Sequence, residues 1–180
     1  KNRLAKDIFT FEDKHADKMI LEISLSKFHD SCDSADKNMM IVEFDNDIII
    51  IDAGLMFPEE EMLGVDLVIP DISYLRDKID RIRGIVVTHG HEDHIGALSY
   101  ILPQINVPVF STKLTNGLIS LKLKEQKALA KADLRIVPPG GTVTLGKFKV
   151  EFFPVCHSIP DAVGLIISTP IGTIVHTGDF

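Results

Sequence analysis

The sequence predicts a layered α/β domain, and three observations support that prediction. Apolar runs of strand length alternate with segments of helical periodicity, and strand-like runs predominate towards both ends of the chain. One run, residues 48–51, is apolar throughout, which is typical of a strand covered on both faces. With 180 residues, the chain is long enough for one domain with a sizeable core. The predicted fold class is therefore α/β (α+β).

The overall composition is that of an ordinary soluble protein, with 45% hydrophobic and 25% charged residues. No apolar run approaches the roughly 18 residues of a membrane helix, so no membrane contact is expected. The first ten residues lack the apolar stretch of a signal peptide. Two cysteines, Cys32 and Cys156, have no CxxC spacing and favour a reducing, cytoplasmic location. The net charge of −7 argues against a broad basic surface, so any attraction to nucleic acid must come from bound metal or from parts of the protein outside the given chain.

The N-terminal elements are the least distinct. Residues 1–38 form a poorly determined segment in which the apolar run 19–25 predicts an edge strand and the polar run 31–37 predicts a loop. Residues 40–44 and 48–52 predict two strands joined by an Asp-Asn-Asp turn. The domain proper is expected to begin at residue 39.

Asp52 ends the second of these strands. A buried carboxylate without partners would cost several kcal/mol, so this residue is expected to have a role. Two interpretations remain open from its position alone. Asp52 either caps a turn or supports a metal site from behind.

The remaining elements follow from periodicity, turn residues and helix breakers. Residues 56–74, with two prolines and an acidic run, predict a surface loop. Helices are predicted at residues 72–82 with Asp71 as the cap, at 95–103 with Pro103 as the end, and at 112–131. Strands are predicted at residues 84–88, 107–110, 142–145, 148–153, 164–168 and 173–176.

A dense set of metal-binding side chains follows the strand predicted at residues 84–88. Four donors lie within six residues: His89, His91, Asp93 and His94. Neutral imidazole and ionised carboxylate are ligands of zinc and manganese. Because side chains alternate along an extended segment, His89 and His91 can bind one ion, whereas Asp93 and His94 suit a second. Glu92 has the opposite parity and is predicted to face away.

Distant strand ends must complete both ions, because one segment cannot. His157 follows the strand at residues 148–153, and Asp179 follows the strand at 173–176. Alone, His157 would more often be a structural histidine and Asp179 a turn residue, but beside the cluster both become candidate ligands. Cys156 is predicted to be buried beside the centre. Two ions about 3.5–4 Å apart would ionise a bound water near neutral pH.

Several segments resemble one protein family. The run Thr-His-Gly-His-Glu-Asp-His-Ile-Gly-Ala at residues 88–97 resembles the HxHxDH signature of the metallo-β-lactamase superfamily. Five further segments resemble ribonuclease J, a family in the β-CASP group of that superfamily: residues 52–58, 64–66, 70–71, 155–161 and 176–180. The resemblance covers about residues 37–180.

The resemblance implies an αββα sandwich with two divalent metal ions at one edge, Zn²⁺ in the first place and Mn²⁺ as the alternative. It assigns the metal ligands in three groups: for one ion His89, His91 and His157, for the other Asp93 and His94, and between them Asp179. Asp93 and His94 are also the expected catalytic residues. Asp52 matches an aspartate that supports the centre.

The resemblance further implies a metal-dependent ribonuclease that hydrolyses RNA phosphodiester bonds in RNA processing and decay. Such an enzyme would act as a 5′-to-3′ exonuclease and as an endonuclease, with RNA as its partner and a homo-oligomer as its full-length form. Two alternatives remain open. The protein could be another hydrolase of this fold, acting on an ester, thioester or lactam, or a truncated, inactive metal-binding fragment.

Two departures from the family pattern bear on these expectations. Residues 28–36 replace a glycine-rich turn with a longer acidic loop, which is expected to repel phosphate. Residues 39–180 match the N-terminal portion of the metallo-β-lactamase domain. The β-CASP and C-terminal parts, with the last histidine ligand, are expected to lie outside the given chain. The second ion is therefore expected to bind weakly.

Overall fold

A seven-stranded mixed sheet runs through the centre of the protein. The computed structural model describes residues 7–13, 16–23, 38–58 and 62–180 of the chain. The strands lie in chain order: β1 (Asp7–Asp13), β2 (Ala16–Ile23), β3 (Met40–Phe44), β4 (Asp47–Ile51), β5 (Ile82–Val86), β6 (Val109–Ser111) and β7 (Leu134–Ile136). Neighbours from β1 to β4 are antiparallel, and neighbours from β4 to β7 are parallel. The carboxyl ends of β4, β5 and β6 therefore meet at one edge of the sheet.

A second, antiparallel sheet packs against one face of the first. Its four strands lie in the spatial order β11 (Gly172–His176), β10 (Val163–Thr169), β9 (Phe148–Pro154) and β8 (Thr142–Leu145). Along β9, Phe148, Val150 and Phe152 are buried and alternate with exposed residues. This alternation is that of a sheet with only one covered face. The buried side chains pack on those of β3 and β4.

Helices cover the opposite face of the first sheet. They are α1 (Glu92–Ile95), α2 (Leu98–Ile105) and α3 (Lys113–Glu125), with two 3₁₀ helices at Ser73–Arg81 and Leu129–Lys131. Their apolar side chains pack on β4 and β5. Among the helices of the described ranges, none combines the length and the apolar character needed to cross a bilayer.

Strand β4 shows how one segment serves two cores. Ile48 and Ile50 point into the helix layer, whereas Ile49 and Ile51 point into the layer between the sheets. All four side chains are at most 1% exposed. The prediction of a strand covered on both faces is confirmed. The described residues form three layers, helices, sheet and sheet, which confirms the mixed α/β class and agrees with the metallo-β-lactamase fold.

The predicted elements are mostly present, with several differences. The strand predicted at residues 19–25 exists as β2 but is not an edge strand, because β1 pairs with its outer side. Strands β1 and β7 were not predicted from the sequence. The helix predicted at residues 72–82 is a 3₁₀ helix. The loops predicted at residues 28–36 and 31–37 lie outside the described residues.

Pro103 does not end its helix, contrary to the prediction. Helix α2 continues to Ile105, because Leu102 and Ile105 are 5% and 2% exposed and their burial favours another turn. Asn106 ends the helix in a left-handed conformation, with φ of 37°. Tertiary packing here outweighs the helix-breaking preference of proline.

The helix predicted at residues 112–131 is divided in two. Helix α3 ends at Glu125, and Lys127 takes a left-handed conformation with φ of 58°. The N–H of Ala128 then donates to the carbonyl of Leu123 at 2.8 Å, and that of Lys127 to Lys124 at 3.1 Å. These two bonds form a Schellman motif, which satisfies the last carbonyls and stops the helix.

Glu43 anchors the 3₁₀ helix at Ser73–Arg81 to β3. Its carboxylate is 7% exposed and accepts hydrogen bonds from Tyr74 Oη at 2.6 Å, from Lys78 Nζ at 2.9 Å and from Arg81. Burial acts to raise the pKa of Glu43, but the bond from Tyr74 and the charges of Lys78 and Arg81 hold that pKa below its ordinary value. The ionised carboxylate therefore stabilises the fold.

Glu43→Gln is expected to lower the free energy of unfolding by about 1–3 kcal/mol near neutral pH, because it removes the buried negative charge that pairs with Lys78 and Arg81. The folded-state pKa lies below that of the unfolded chain, so the contribution is present above the ordinary value of 4.5 and is lost as the pH falls below it. Urea unfolding from pH 7 to pH 3 measures this, with the exposed Glu125→Gln as the control. A difference between the wild type and Glu43→Gln that stays constant over this range would contradict the assignment.

Candidate metal centre

The loops at the carboxyl edge of the parallel strands are bound tightly to one another. The residues after β4 exchange backbone hydrogen bonds with α1: Ala53 N–H donates to the carbonyl of His94 at 2.7 Å, and Ala97 N–H to that of Ala53 at 2.8 Å. Gly54 lies so close that a Cβ there would overlap the carbonyl oxygen of Asp93. Val163 N–H donates to the carbonyl of Thr88 at 3.0 Å and joins the second sheet to the same edge.

The first group of donors consists of three imidazoles. His89 Nε2 lies 3.1 Å from His91 Nδ1, and His157 Nε2 lies 3.2 Å from the same atom. Two nitrogens bound tetrahedrally to one zinc at about 2.0–2.1 Å would lie roughly 3.3 Å apart. The spacing of these nitrogens is thus the spacing that a single ion requires, and the three residues form a candidate metal site.

A second group forms beside the first. His89, His94 and Asp179 offer donor atoms that lie within 4.8 Å of one another. Asp179 Oδ2 lies 3.3 Å from His94 Nε2, and Asp93 Oδ2 lies 3.6 Å from the same nitrogen. Asp93 therefore borders the second group, and His89, which the sequence assigned to the first ion, offers a donor to both groups.

Asp179, a member of the second group, also lies on the side that faces the first group. Its Oδ2 is 3.9 Å from His89 Nε2, 3.9 Å from His157 Nε2 and 3.3 Å from His94 Nε2. A carboxylate in such a position can contact two neighbouring ions; the family resemblance assigned this bridging role to Asp179, and the role stays a prediction.

Asp52 and Thr88 orient two of these rings. The ring N–H at His94 Nδ1 donates to Asp52 Oδ2 at 2.8 Å, so Nε2 is the ring nitrogen that faces the other donors and can bind metal. The Thr88 hydroxyl donates to the same oxygen at 2.8 Å and therefore accepts from His89 Nδ1 at 3.0 Å. Thr88 N–H also donates to Asp52 Oδ1 at 2.8 Å. Of the two open interpretations of Asp52, support of the centre agrees with these contacts.

The buried rings differ in their affinity for protons. Burial, followed by the nearby His94, lowers the pKa of His89 to about 4, so this ring is neutral at pH 7. Burial also acts to lower the pKa of His94, but the hydrogen bond and charge of Asp52, with Asp93 and Asp179 nearby, hold that pKa above its ordinary value. A cation that binds His94 must therefore displace a proton more readily retained there than at His89.

Three neighbours of the cluster point elsewhere. Glu92 accepts a hydrogen bond from Lys122 Nζ at 2.6 Å and faces α3, as its parity predicted. Cys156 is exposed, so the prediction that it is buried was wrong; the chain after β9 leaves the sheet before that residue. His176 Nδ1 accepts from Gly178 N–H at 3.1 Å and thereby shapes the turn before Asp179.

A model of the metallo-beta-lactamase superfamily matches residues 35–180. The chain belongs to the metallo-beta-lactamase superfamily. Two imidazole-rich groups with a carboxylate between them agree with that membership, since such donor sets suit divalent metals. The HxHxDH run at the end of β5 is thus the signature of a metallo-beta-lactamase domain.

Curated relatives narrow the likeness within the metallo-beta-lactamase superfamily. Ribonuclease J2 of Bacillus subtilis (strain 168) is 50% identical over 144 residues, which are 80% of this chain and 26% of that protein. Ribonuclease J 2 of Staphylococcus aureus (strain NCTC 8325 / PS 47) is 47% identical over 144 residues, with coverage of 80% and 26%. The resemblance to ribonuclease J is confirmed, and the chain spans about a quarter of the length of these relatives.

Solved structures share the fold. A protein of unknown function from Enterococcus faecalis V583 superposes with a TM-score of 0.61 at 21% identity, over 80% of this chain and 40% of that one. At this identity the likeness concerns the metallo-beta-lactamase fold alone.

Sequence reasoning overlooked two residues that border the metal centre. Thr88 bridges Asp52 and His89, and Asn38 contacts Asp93 and His94. A single threonine or asparagine beside a strand forms no sequence motif that indicates a metal site. The only available signal was position, because Thr88 directly precedes the motif.

Thr88→Val is expected to weaken binding of one Zn²⁺ by about 10- to 100-fold, because His89 loses the acceptor that fixes its ring. Thr88→Ser keeps the hydroxyl and should bind as the wild type does. Competition with a chelator of known affinity measures both variants. Equal affinities of Thr88→Val and the wild type would show that the hydroxyl does not orient His89.

Proposed function

We propose that this protein is part of a ribonuclease J-like metallo-hydrolase that cleaves RNA phosphodiester bonds with two divalent ions. The position of Asp179 Oδ2, within 3.9 Å of nitrogens from both donor groups, is the observation that supports it best. A single-ion site would not need a carboxylate between two sets of ligands. The identity to proteins named ribonuclease J2 over 144 residues supports RNA as the substrate class.

The donor sets divide the proposed roles among the residues. His89, His91 and His157 would hold one ion, and His94, Asp93 and Asp179 the other. When bound, a pair of ions supplies a water molecule that ionises near neutral pH and positive charge that stabilises the phosphate oxygens. Asp52 and Thr88 keep the rings in the orientation that leaves their ligand nitrogens free.

Asp93 is the residue best placed to handle a proton. Its carboxylate is 43% exposed, so it faces both His94 and solvent. From there it can orient an attacking water or accept a proton, whereas the fully buried Asp52 cannot reach one. In this proposal Asp93 and His94 are the catalytic residues of the centre.

The ion identity and the biological setting are also proposals. Three imidazoles in the first group favour zinc, with manganese as the alternative. The acidic balance of the chain, with a net charge of −7, means that the ions supply the local positive charge for RNA. We place the reaction in cytoplasmic RNA processing and decay, by 5′-to-3′ exonuclease and endonuclease cleavage in a homo-oligomer.

His91→Ala and Asp93→Ala are each expected to lower RNA cleavage by at least about a hundredfold. The first removes a ligand of one ion, and the second removes the carboxylate proposed to orient the water or accept a proton. Glu92→Gln, which changes the neighbouring residue that pairs with Lys122, is the control and should stay near wild-type activity. The measurement is release of labelled nucleotides from an RNA oligomer with added Zn²⁺ or Mn²⁺, in the full-length protein.

A thioester and a lactam assayed on the same preparations separate the alternatives. Cleavage of RNA that survives both alanine substitutions would refute the proposal. Turnover of the thioester or lactam without RNA cleavage would assign the centre to another hydrolase of this fold.

A further inference from the structure

Asn38 enters the second donor group from outside the histidine motif. It lies two residues before the start of β3, and its backbone is held on both sides: its N–H donates to the carbonyl of Asp93 at 3.3 Å, and its carbonyl accepts from Gly54 N–H at 2.9 Å. The side chain is thereby directed at the place where Asp93 and His94 meet. No motif in the sequence marked it for this position.

The end of the Asn38 amide lies among the donors of this group. Its Nδ2 is 3.1 Å from Asp93 Oδ2 and 2.7 Å from His94 Nε2. That histidine nitrogen is in turn 3.6 Å from Asp93 Oδ2 and 3.3 Å from Asp179 Oδ2. Donors that bind one ion at about 2.1 Å, with angles of roughly 80–120° between them, lie about 2.7–3.6 Å apart. These four separations all fall in that interval.

The amide can present either of its ends to the centre. An amide nitrogen has no free lone pair for a metal, but the carbonyl oxygen has two, and the two ends have nearly the same shape. Without a cation, the NH₂ end donates to the Asp93 carboxylate. Half a turn about the Cβ–Cγ bond of Asn38 places Oδ1 where Nδ2 lies, without any movement of the backbone.

We propose that Asn38 binds the second divalent ion through Oδ1, beside His94, Asp93 and Asp179. This inference rests on the two-ion centre of the proposed function. With Asn38 included, the second donor set consists of three oxygens and one nitrogen, whereas the first set consists of three nitrogens. Oxygen donors suit harder cations, so the second position is the one that takes Mn²⁺, and the first favours Zn²⁺.

The proposal also bears on the strength of the second position. From the resemblance, the second ion was expected to bind weakly, because one histidine ligand was expected to lie outside the given chain. Asn38 offers an additional donor from the N-terminal side of the same domain. Substitution of Asn38 is therefore expected to weaken binding of the second ion and to leave ion binding by the three-imidazole group unchanged.

Two substitutions of the same size test the proposal. Asn38→Asp keeps an oxygen at the end of the side chain, and Asn38→Leu keeps the branching at Cγ and the number of heavy atoms without any donor or acceptor. Asn46→Asp, in the exposed turn between β3 and β4, is the control that adds the same charge far from the centre. The first position is filled with one equivalent of Zn²⁺, and Mn²⁺ is then titrated while the electron paramagnetic resonance signal of free Mn²⁺ is followed.

The wild type is expected to bind one Mn²⁺ per zinc-loaded chain. Asn38→Asp should bind it at least as tightly, because a carboxylate replaces a neutral oxygen, and Asn38→Leu should bind it at least about tenfold more weakly. Zinc affinity should be the same in all variants, which also shows that they are folded.

Several results would overturn the assignment. If Asn38 only donates a hydrogen bond to Asp93, Asn38→Asp weakens Mn²⁺ binding as much as Asn38→Leu does, because two carboxylates then face each other. Unchanged binding in Asn38→Leu, or a wild type that binds no Mn²⁺, also excludes the ligand role. RNA is absent from this titration, so its failure is distinct from a failure of the proposed nuclease activity, which the His91 and Asp93 variants test.

Discussion

The buried carboxylate of Asp52 holds the candidate metal centre to the sheet. The residue is 1% exposed and follows β4 in a backbone conformation with φ of 58°, which non-glycine residues rarely adopt. It accepts hydrogen bonds from the backbone and hydroxyl of Thr88 and from the ring of His94. Through Thr88 it also acts on His89. One side chain thus orients a ring in each donor group, and an unpaired carboxylate at this depth would cost several kcal/mol.

The two sheets bring the other residues of the candidate centre close to Asp52. The parallel ends of β4 and β5 bring Asp52 beside the histidine motif, and the second sheet contributes the strands that precede His157 and Asp179. A backbone hydrogen bond from Val163 N–H to the carbonyl of Thr88 joins the sheets at that edge. The donors of the two groups come from three separate segments, which follow β5, β9 and β11, so the centre depends on the packing of both sheets rather than on any one segment.

Residues of the candidate centre could be predicted from the sequence where they lie close together in the chain. His89, His91, Asp93 and His94 are adjacent in the chain, and the alternation of an extended segment indicated which of them cooperate. His157 and Asp179 needed the additional argument that they follow strands, together with the family resemblance. Asn38 and Thr88 were not predicted, because hydrogen bonds between distant parts of the chain leave no local pattern. Asn38 is 55 residues from Asp93, and Thr88 is 36 residues from Asp52. The same holds for α2, whose packing overrides Pro103, and for β7, whose three residues are too few to show periodicity.

The most direct test of the two-ion centre is a crystal structure of the metal-loaded protein, with anomalous diffraction collected on both sides of the zinc or manganese absorption edge. The account predicts two anomalous peaks about 3.5–4 Å apart. One peak should contact the imidazoles of His89, His91 and His157, and the other should contact His94, with Asp179 between them. A single peak, or a pair of peaks that Asp179 does not bridge, would contradict it.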